Sequence, residues 1–264
     1  MELREFLFRP LENRRYRFSI SAREAGLLSG AEELGERAAQ IGLEVISLLA
    51  EGSALAAGAP VMVARGGAEQ VAQAEETLLG TIGKPSGVAT AAAAMVKEAG
   101  RARIVCGAWK KVSIGVRAEL RRAIATGGAG VRISDQPFVY LDKNYVRMFG
   151  DVRQAVARAK SYDPKRLVVV QLRGEGQAIV LEASAAVSAG ADILMIDTGR
   201  LEDLRMVARA AQAGGWRDRV HLAFGGGVTP GMLGDVVAAG GDIIDVGRAI
   251  IDAPLLDFSL DVEA

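Results

Sequence analysis

The chain has 264 residues, and half of them are hydrophobic, which is enough for one large barrel or for a barrel with a smaller appended domain. Its 32 basic and 32 acidic residues balance, so we expect no nucleic-acid partner and no attraction to a membrane surface. One cysteine, Cys106, and one histidine, His221, exclude a disulfide framework and a Cys/His metal cluster. Met1 to Pro10 lacks the apolar core of a signal peptide, and no apolar run approaches the roughly 18 residues of a membrane span, so we expect a cytoplasmic protein.

Residues 1 to about 80 have the pattern of a separate α+β unit. Tyr16 to Ala22 alternates in part, as a half-exposed strand does, and Ala31 to Gln40 has helical spacing. Leu43 to Leu49 and Ala59 to Ala64 are short apolar segments between glycine turns, which favours an antiparallel sheet.

A long alanine-rich segment, Ala68 to Gly100, follows with a helical pattern. Proline lacks a backbone N–H and its ring clashes with the preceding turn. We therefore expect Pro85 to end one helix and Ser86 to cap the next one.

Strands and helices then alternate regularly, which is typical of a parallel sheet covered by helices. The helical segments include Val116 to Ala125, Val152 to Lys160, Val180 to Ser188 and Leu201 to Ala213. Seven strand segments would close or nearly close a barrel. They are Arg103 to Cys106, Gly130 to Ile133, Phe138 to Leu141, Leu167 to Leu172, Ile193 to Ile196, Val220 to Phe224 and Ile243 to Val246.

The last two of these strands end in glycine, and a helical segment follows each of them. Unpaired N–H groups at such strand ends, with the partial positive charge of a helix N-terminus, form a binding site for phosphate. In (β/α) barrels the last two strand-to-helix loops usually hold a substrate phosphate. The alternative is that the glycines only make tight turns. The candidate phosphate-binding residues are Gly225, Gly226, Gly227, Gly247 and Arg248.

A series of short motifs runs in order along nearly the whole chain. They are Arg23 to Gly30, Glu51-Gly52 with Gly58, Ala74-Glu75, Ser86 to Thr90, Thr126 to Gly128, Ala189 to Asp197, Gly226 to Thr229, Val246-Gly247 and Leu256 to Asp261. Together they resemble the quinolinate phosphoribosyltransferase family (nicotinate-nucleotide pyrophosphorylase, carboxylating).

The resemblance implies an α/β fold: an incomplete seven-stranded (β/α) barrel, residues 81–254, and an N-terminal α+β sandwich domain, residues 1–80, joined by the tail 255–264. It implies a small phosphorylated substrate, phosphoribosyl pyrophosphate, accompanied by Mg²⁺. It also implies a homodimer or higher homo-oligomer in which the first domain of one subunit closes the site of the other.

Several cations that the family uses to hold its pyridine dicarboxylate are changed. An arginine of the family corresponds to Glu76, a reversal of charge, and a Thr-Arg-Lys-Thr segment corresponds to Trp109 to Val112, which keeps Lys110 and Lys111. A carboxylate of the substrate near Glu76 would be repelled by about 1 to 4 kcal/mol at 4 Å. Arg132-Ile133 stands for a His-Arg pair.

In the rest of the barrel, Lys143 is kept from a Lys-Asp-Asn-His segment, whose last residue here is Val146. Gln171 and Asp197 stand for an acidic pair. The resemblance thus implies catalysis by Lys111, Lys143 and Asp197, and substrate binding by Glu76, Lys110, Arg132 and Gln171.

The expected function is phosphoribosyl transfer to a pyridine or other heterocyclic acceptor, with an altered acceptor site. One alternative is a non-catalytic paralogue that binds a phosphorylated metabolite; another is the pyrophosphorylase-like protein linked to molybdenum transport. A thiazole-synthase-like barrel also ends strands in glycines, but the separate first domain and Ser86 to Thr90 speak against it. The residues named have structural alternatives: Lys110 and Lys111 as a solvated pair, and Asp197 as a helix cap.

Overall fold

The computed structural model describes residues 3–263, which divide into two compact units, each built from separated stretches of the chain. The N-terminal unit consists of Met1–Ala94, Trp109–Gly128 and Ile250–Ala264, and the barrel unit of Met95–Ala108 and Ala129–Ala249. In the described part of the chain, no helix combines the length and the apolar character that a membrane crossing needs.

An antiparallel sheet with strand order β12-β1-β5-β3 organises the N-terminal unit, as the glycine-separated strands predict. A short ribbon of β2 and β4 accompanies it. The strands are β1 (Arg15–Ala22), β2 (Gly26–Leu27), β3 (Glu44–Leu48), β4 (Ala54–Leu55), β5 (Pro60–Gly67) and β12 (Phe258–Val262). The helices are α1 (Leu3–Phe8), α2 (Ala31–Ile41), α3 (Ala68–Ala99, which continues into the barrel unit) and α4 (Arg117–Thr126).

The end of the chain returns to this unit and completes its sheet. β12 pairs with β1, with Ile20 opposite Leu260. Leu256 and Phe258 are buried in the same apolar cluster as Phe18, whereas the adjacent Leu255 is 64% exposed. The C-terminal segment is therefore part of the core of the N-terminal unit.

The helix α3 runs without a break through Pro85, so the prediction that this proline ends one helix is wrong. The reason is tertiary contact. The N–H of Leu256 donates to the carbonyl of Gly83, and Lys84 Nζ donates to the carbonyl of Ala253. Ser86 caps no helix, since its hydroxyl accepts from the N–H of Ser29. These contacts hold the segment helical against the local preference of proline.

Six parallel strands with order β6-β11-β10-β9-β8-β7 form the sheet of the barrel unit, which curls into a half-barrel. The strands are β6 (Arg103–Val105), β7 (Phe138–Leu141), β8 (Leu167–Leu172), β9 (Ile193–Ile196), β10 (His221–Phe224) and β11 (Ile243–Asp245). The helices are α5 (Lys143–Phe149), α6 (Val152–Tyr162), α7 (Ile179–Ser188), α8 (Leu201–Ala213), α9 (Leu233–Ala238) and α10 (Arg248–Ile251, at the limit of the unit).

The seventh predicted strand, Gly130 to Ile133, is not a strand of this sheet. It makes a single parallel bridge between Val105 and Gly130, and the chain then bends. The serine hydroxyl of Ser134 accepts from the N–H of Gln136, which closes a local turn in place of a ladder. Arg132 is consequently exposed in a bend instead of lying in a strand, and the substrate-binding role that the resemblance implies for it stays a prediction.

The inner face of the half-barrel is an apolar cluster below the strand ends. Its buried members come from nearly every strand: Val105, Ile133, Val169, Ile193, Met195, Ala223 and Ile243. Phe138 and Tyr140 of β7 pack against it. Because side chains alternate along a strand, residues two positions beyond this layer face the same interior.

Candidate functional site

Three of the predicted site residues lie in the N-terminal unit. Lys110 and Lys111 are exposed in the 3-10 turn Ala108–Lys111, where Arg117 donates to the carbonyl of Lys110 at 2.7 Å. Glu76 is exposed on α3 and forms a hydrogen-bonded ion pair with Arg4 of α1. This contact with Glu76 raises the pKa of Arg4. The negative charge of Glu76 is therefore paired within its own unit.

The carboxyl ends of β7 and β8 bring two further predicted residues together. Asp142 caps α5 by accepting from the N–H groups of Asn144 and Tyr145. The cap places Lys143 at the first position of that helix, where its N–H donates to Gln171 Oε1 at 2.7 Å. Gln171 is buried at the end of β8.

Asp197, directly after β9, is a carboxylate held by side-chain donors. Its Oδ2 accepts from Gln171 Nε2 and, at 3.4 Å, from Arg173 Nη1, which also donates to the Asp197 carbonyl at 2.9 Å. The backbone of Arg173 is fixed in turn, because Glu182 accepts from its N–H. The carboxylate is thus pre-oriented by one side chain of β8 and one of the loop that follows it, rather than used as a helix cap.

A second carboxylate, Asp245, ends β11 and accepts from the N–H of Gly107 at 3.2 Å. Gly225 directly follows β10, the strand between β9 and β11. A Cβ atom at Gly225 would stand 3.4 Å from Asp197 Oδ1 and 3.5 Å from the Cβ of Asp245. The same Cβ would lie 2.6 Å from Met195 Cε, so the side chains of Met195, Asp197 and Asp245 fill the space beside Gly225 and leave no room for a side chain there.

Tyr140 of β7 contributes a phenol to the same interior. Its burial, together with the charges of Asp245, Asp197 and Asp142, raises the pKa of this hydroxyl above its ordinary value. Tyr140 therefore stays neutral at physiological pH and keeps a proton to donate.

The predicted glycine loops follow neighbouring parallel strands, as expected, since β10 pairs with β11. Gly226 and Gly227 have positive φ angles of 100° and 86°. Among residues 3–263 their N–H groups donate to no protein group. The helices that follow, α9 and α10, have only 6 and 4 residues. Any anion here would be bound by loop amides rather than by a helix dipole.

A cavity of about 580 Å³ opens beside the ends of β7 and β8. It is lined by cations and acids in alternation, among them Lys143, Arg147, Arg153, Arg173, Glu175 and Glu182. Glu175 accepts from Arg147 at 2.7 Å and from Arg173 at 3.1 Å. The hydrogen bonds from Arg147 lower the pKa of Glu175.

Sequence reasoning missed Arg173, Tyr140 and Asp245. For Asp245 a signal was present, because Ile244-Asp245-Val246-Gly247 repeats the pattern of Ile196-Asp197-Thr198-Gly199. In both segments the acidic residue follows an apolar run and lies two positions before a glycine. The sequence around Tyr140 and Arg173 carries no such signal, because the pairing of the strands determines whether a side chain points into the half-barrel or to its side.

Comparisons with known proteins match nearly the whole chain to one protein family. Residues 6–86 match the family model described as quinolinate phosphoribosyl transferase, N-terminal domain, and residues 88–261 match that of the C-terminal domain. The chain is 32% identical over 248 residues to the nicotinate-nucleotide pyrophosphorylase (carboxylating) of Rattus norvegicus, which covers 92% of this chain and 80% of that protein. For the protein of the same name from Homo sapiens the identity is 31% over 246 residues, with 92% and 80% covered.

Solved structures agree on the fold. The nicotinate-nucleotide pyrophosphorylase from Pyrococcus furiosus superposes with a TM-score of 0.86 at 21% identity, over 98% of this chain and 72% of that one. The one from Francisella tularensis gives a TM-score of 0.81 at 23% identity, over 98% and 90%. At these identities the likeness concerns the fold alone.

Proposed function

We propose that this chain, which belongs to the quinolinate phosphoribosyl transferase family, transfers phosphoribose from phosphoribosyl pyrophosphate to a pyridine or other heterocyclic acceptor. Relatives at 31% and 32% identity are named nicotinate-nucleotide pyrophosphorylase (carboxylating). The observation that carries the proposal is the placement of Asp197, held by Gln171 and Arg173 at the carboxyl end of β9. In such folds the catalytic groups lie at this end of the barrel strands.

The reaction requires few covalent steps from the protein. The bond between C1 of the ribose and the pyrophosphate oxygen breaks, pyrophosphate leaves with the electron pair, and a ring nitrogen of the acceptor bonds to C1. Positive charge develops on the sugar, as in glycoside cleavage. Asp197 stabilises that charge or holds the ribose hydroxyls, and Lys143, in the same barrel unit, compensates the charge of the leaving group. The catalytic role that the resemblance implies for Lys111 stays a prediction.

The loop amides of Gly226 and Gly227 are suited to the phosphate of the substrate. Their N–H groups have no protein acceptor within the described chain, and a bound phosphate would satisfy them. A side chain is excluded at Gly226, whose added Cβ would lie 2.5 Å from the N atom of Gly199. The loops after β9 and β10 therefore approach each other backbone to backbone.

Magnesium fits as a companion of the substrate rather than as a resident ion. Within residues 3–263 no group of three or more His, Cys, Asp and Glu side chains is arranged to hold a metal. Mg²⁺ bound to phosphates needs only one or two protein carboxylates. Asp197 would serve as one, and the ion would supply charge compensation for the pyrophosphate.

The acceptor site differs from that implied for the family. Glu76 is paired with Arg4, and Arg132 is exposed in a bend while Ile133 is buried. Pairing with Arg4 reduces the repulsion that Glu76 would exert on an acid, but it supplies no cation to hold one. We therefore propose that the acceptor is not held by the cations that bind a dicarboxylate elsewhere in the family.

The test is release of pyrophosphate from phosphoribosyl pyrophosphate by the purified protein in the presence of Mg²⁺ and single acceptors. Quinolinate, nicotinate, nicotinamide and other nitrogen heterocycles are the panel. We expect acceptor-dependent release for at least one of them. Absence of release for the whole panel, with an active family member as control, would contradict the proposal.

A non-catalytic binding protein is the second candidate, favoured by the ion pair that neutralises Glu76 and by the buried Ile133. It predicts that phosphoribosyl pyrophosphate binds in calorimetry without any turnover. Measurable transfer excludes it.

A further inference from the structure

A second cavity, of about 610 Å³, opens at the amino ends of the barrel strands. Five neighbouring strands line it with their first residues, and residues 133–136, which precede β7, complete its wall. These first residues are Arg103 of β6, Leu167 of β8, Ile193 of β9, His221 of β10 and Ile243 of β11. We propose that this cavity binds a small molecule in which a carboxylate is attached to an apolar body, such as an aromatic acid.

This cavity is separate from the proposed active site. Asp197 follows the carboxyl end of β9, whereas Ile193 begins the same strand. All residues that line the cavity belong to the barrel unit. Because the catalytic groups of such barrels lie at the carboxyl ends of the strands, a ligand at the amino ends would be bound without being converted. Binding here does not depend on phosphoribosyl transfer.

The floor of the cavity is apolar. Ile133, Ile193 and Ile243 are buried members of the interior cluster, and Leu167 is half-buried beside them. An apolar body that covers these aliphatic side chains leaves water, and this transfer favours binding. The cavity volume also falls within the roughly 300 to 1,000 Å³ that is usual for sites of small organic ligands.

The chain segment before β7 forms a polar wall. β6 and β7 are the two edge strands of the sheet, and the segment leads from the bridge between Val105 and Gly130 at one edge to β7 at the other. Ser134 of this segment lines the cavity and is only 7% exposed. Its oxygen accepts from the N–H of Gln136 at 3.1 Å, and among residues 3–263 its hydroxyl proton has no protein acceptor. A buried hydroxyl with an unused proton is suited to donate to a carboxylate.

Two arginines bring positive charge to the same cavity. Arg103 Nη2 donates to Asp135 Oδ1 at 2.8 Å, and the Asp135 side chain is 85% exposed. An ion pair that is so well solvated contributes little, so Arg103 can exchange this partner for the carboxylate of a ligand. Arg101 is exposed and, in the described part of the chain, has no hydrogen bond or ion pair. A guanidinium offers two parallel N–H groups to a carboxylate.

The remaining charges of the cavity are paired within the protein. Asp242 accepts from Arg217 Nη2 at 2.7 Å and from the N–H of Leu222 at 2.8 Å. Arg217 also donates to the carbonyls of Val220 and Gly240. Their role is therefore structural. Three arginines and two aspartates line the cavity, so a positive charge remains for an anion.

The floor and the arginines together define the ligand. Inorganic phosphate would gain nothing from the aliphatic side chains, and a neutral hydrocarbon would gain nothing from the guanidinium groups. A molecule that places its carboxylate beside Arg101, Arg103 and Ser134 and its apolar body on the floor uses both.

Titration of the full chain with cinnamate, followed by heteronuclear NMR, tests the proposal. Cinnamamide, which has nearly the same shape and no charge, is the comparison ligand. We expect cinnamate to shift the amide signals of residues 101–103 and 133–136. We also expect its dissociation constant to be at least about tenfold lower than that of cinnamamide, because the amide forms no charge-assisted hydrogen bond.

Variants test the contacts of the carboxylate. Arg103→Gln and Ser134→Ala should each raise the dissociation constant of cinnamate about threefold to tenfold, because each removes a donor. Arg205→Gln is the matched control and should leave it unchanged. The Arg205 side chain is 42% exposed and pairs with Glu202 at 3.6 Å, whereas that of Arg103 is 37% exposed, and Arg205 lies on α8, outside the cavity.

Equal affinity for cinnamate and cinnamamide would overturn the proposal, as would the absence of cinnamate binding. An unchanged affinity in folded Arg103→Gln would also overturn it. If Arg103→Gln does not fold, the exposed Arg101→Gln must lower the affinity instead. Signal shifts confined to residues 171–173 and 197 would place cinnamate at the carboxyl ends of the strands, which likewise contradicts the proposal.

Discussion

At the scale of single residues, the contact between Arg173 and Asp197 is the most consequential. Gln171 and Arg173 both donate to the same carboxylate oxygen, so Asp197 is oriented before substrate arrives. A residue that acts in this way through another should affect the reaction more than the fold.

We predict that Arg173→Gln lowers kcat/KM for phosphoribosyl pyrophosphate about tenfold, because a charge-assisted hydrogen bond to Asp197 is lost while the partly exposed position limits the effect. Steady-state kinetics measure it, with Arg158→Gln on the exposed side of α6 as the matched control. Equal kinetics of the two variants would show that Asp197 does not depend on Arg173.

The adjacent glycines Gly226 and Gly227 allow the cost of a strained backbone to be separated from the cost of a steric clash. Both have positive φ, which costs an alanine about 1 to 2 kcal/mol. A Cβ at Gly227 meets nothing within 4 Å, whereas one at Gly226 would lie 2.5 Å from the backbone of Gly199.

We therefore predict that Gly226→Ala lowers the free energy of unfolding by clearly more than Gly227→Ala. Urea denaturation of both variants is the measurement. Similar losses would mean that the loops after β9 and β10 are not in backbone contact.

At the scale of elements, the C-terminal segment matters most because it supports both a sheet and a proline-containing helix. Leu256 is 5% exposed and Leu255 is 64% exposed. We predict that Leu256→Ala costs about 2 to 5 kcal/mol of unfolding free energy and Leu255→Ala less than about 0.5 kcal/mol. Thermal or urea unfolding of the pair checks this, and equal losses would contradict the packing described.

Glu51 fixes the start of α2. Its carboxylate accepts from the N–H groups of Gly30 and Ala31 and from the hydroxyl of Thr126. Burial acts to raise the pKa of Glu51, but its hydrogen bonds, led by that from Ser29, outweigh burial and leave the pKa below the ordinary 4.5.

A lowered folded pKa means that the carboxylate stabilises the fold above about pH 4.5 and that this contribution is lost as pH falls through the lower folded value. Glu51→Gln should thus cost about 1 kcal/mol at pH 7 and progressively less below pH 4.5. Unfolding midpoints across pH measure it, with the exposed Glu36→Gln as control. A cost that does not shrink in acid would exclude this role of the charge.

The sequence predicts regular elements well where periodicity is undisturbed. Leu201–Ala213 and Phe138–Leu141 have the bounds that the pattern indicates. The pattern fails where contacts distant in the chain determine the local structure. Pro85 lies within a helix that the C-terminal tail stabilises, and the chain after Gly130 leaves the sheet after a single β-bridge. In the site, Lys143, Gln171 and Asp197 could be placed at strand ends, whereas the interior position of Tyr140 required the register of β7 against its neighbours.

At the scale of the whole molecule, both halves of the family match along nearly the full chain, and the fold agrees with solved relatives. The homo-oligomer that the resemblance implies stays a prediction. We propose that a chain with this fold and with an altered acceptor site still breaks the bond between ribose and pyrophosphate.

The most direct measurement is acceptor-dependent release of pyrophosphate with product identified by mass spectrometry, compared between the unmodified protein and Asp197→Asn. We expect a ribonucleotide of one heterocycle, formed at a rate that falls at least about 100-fold in the variant. No nucleotide from any acceptor, or equal rates with and without the Asp197 carboxylate, would contradict it.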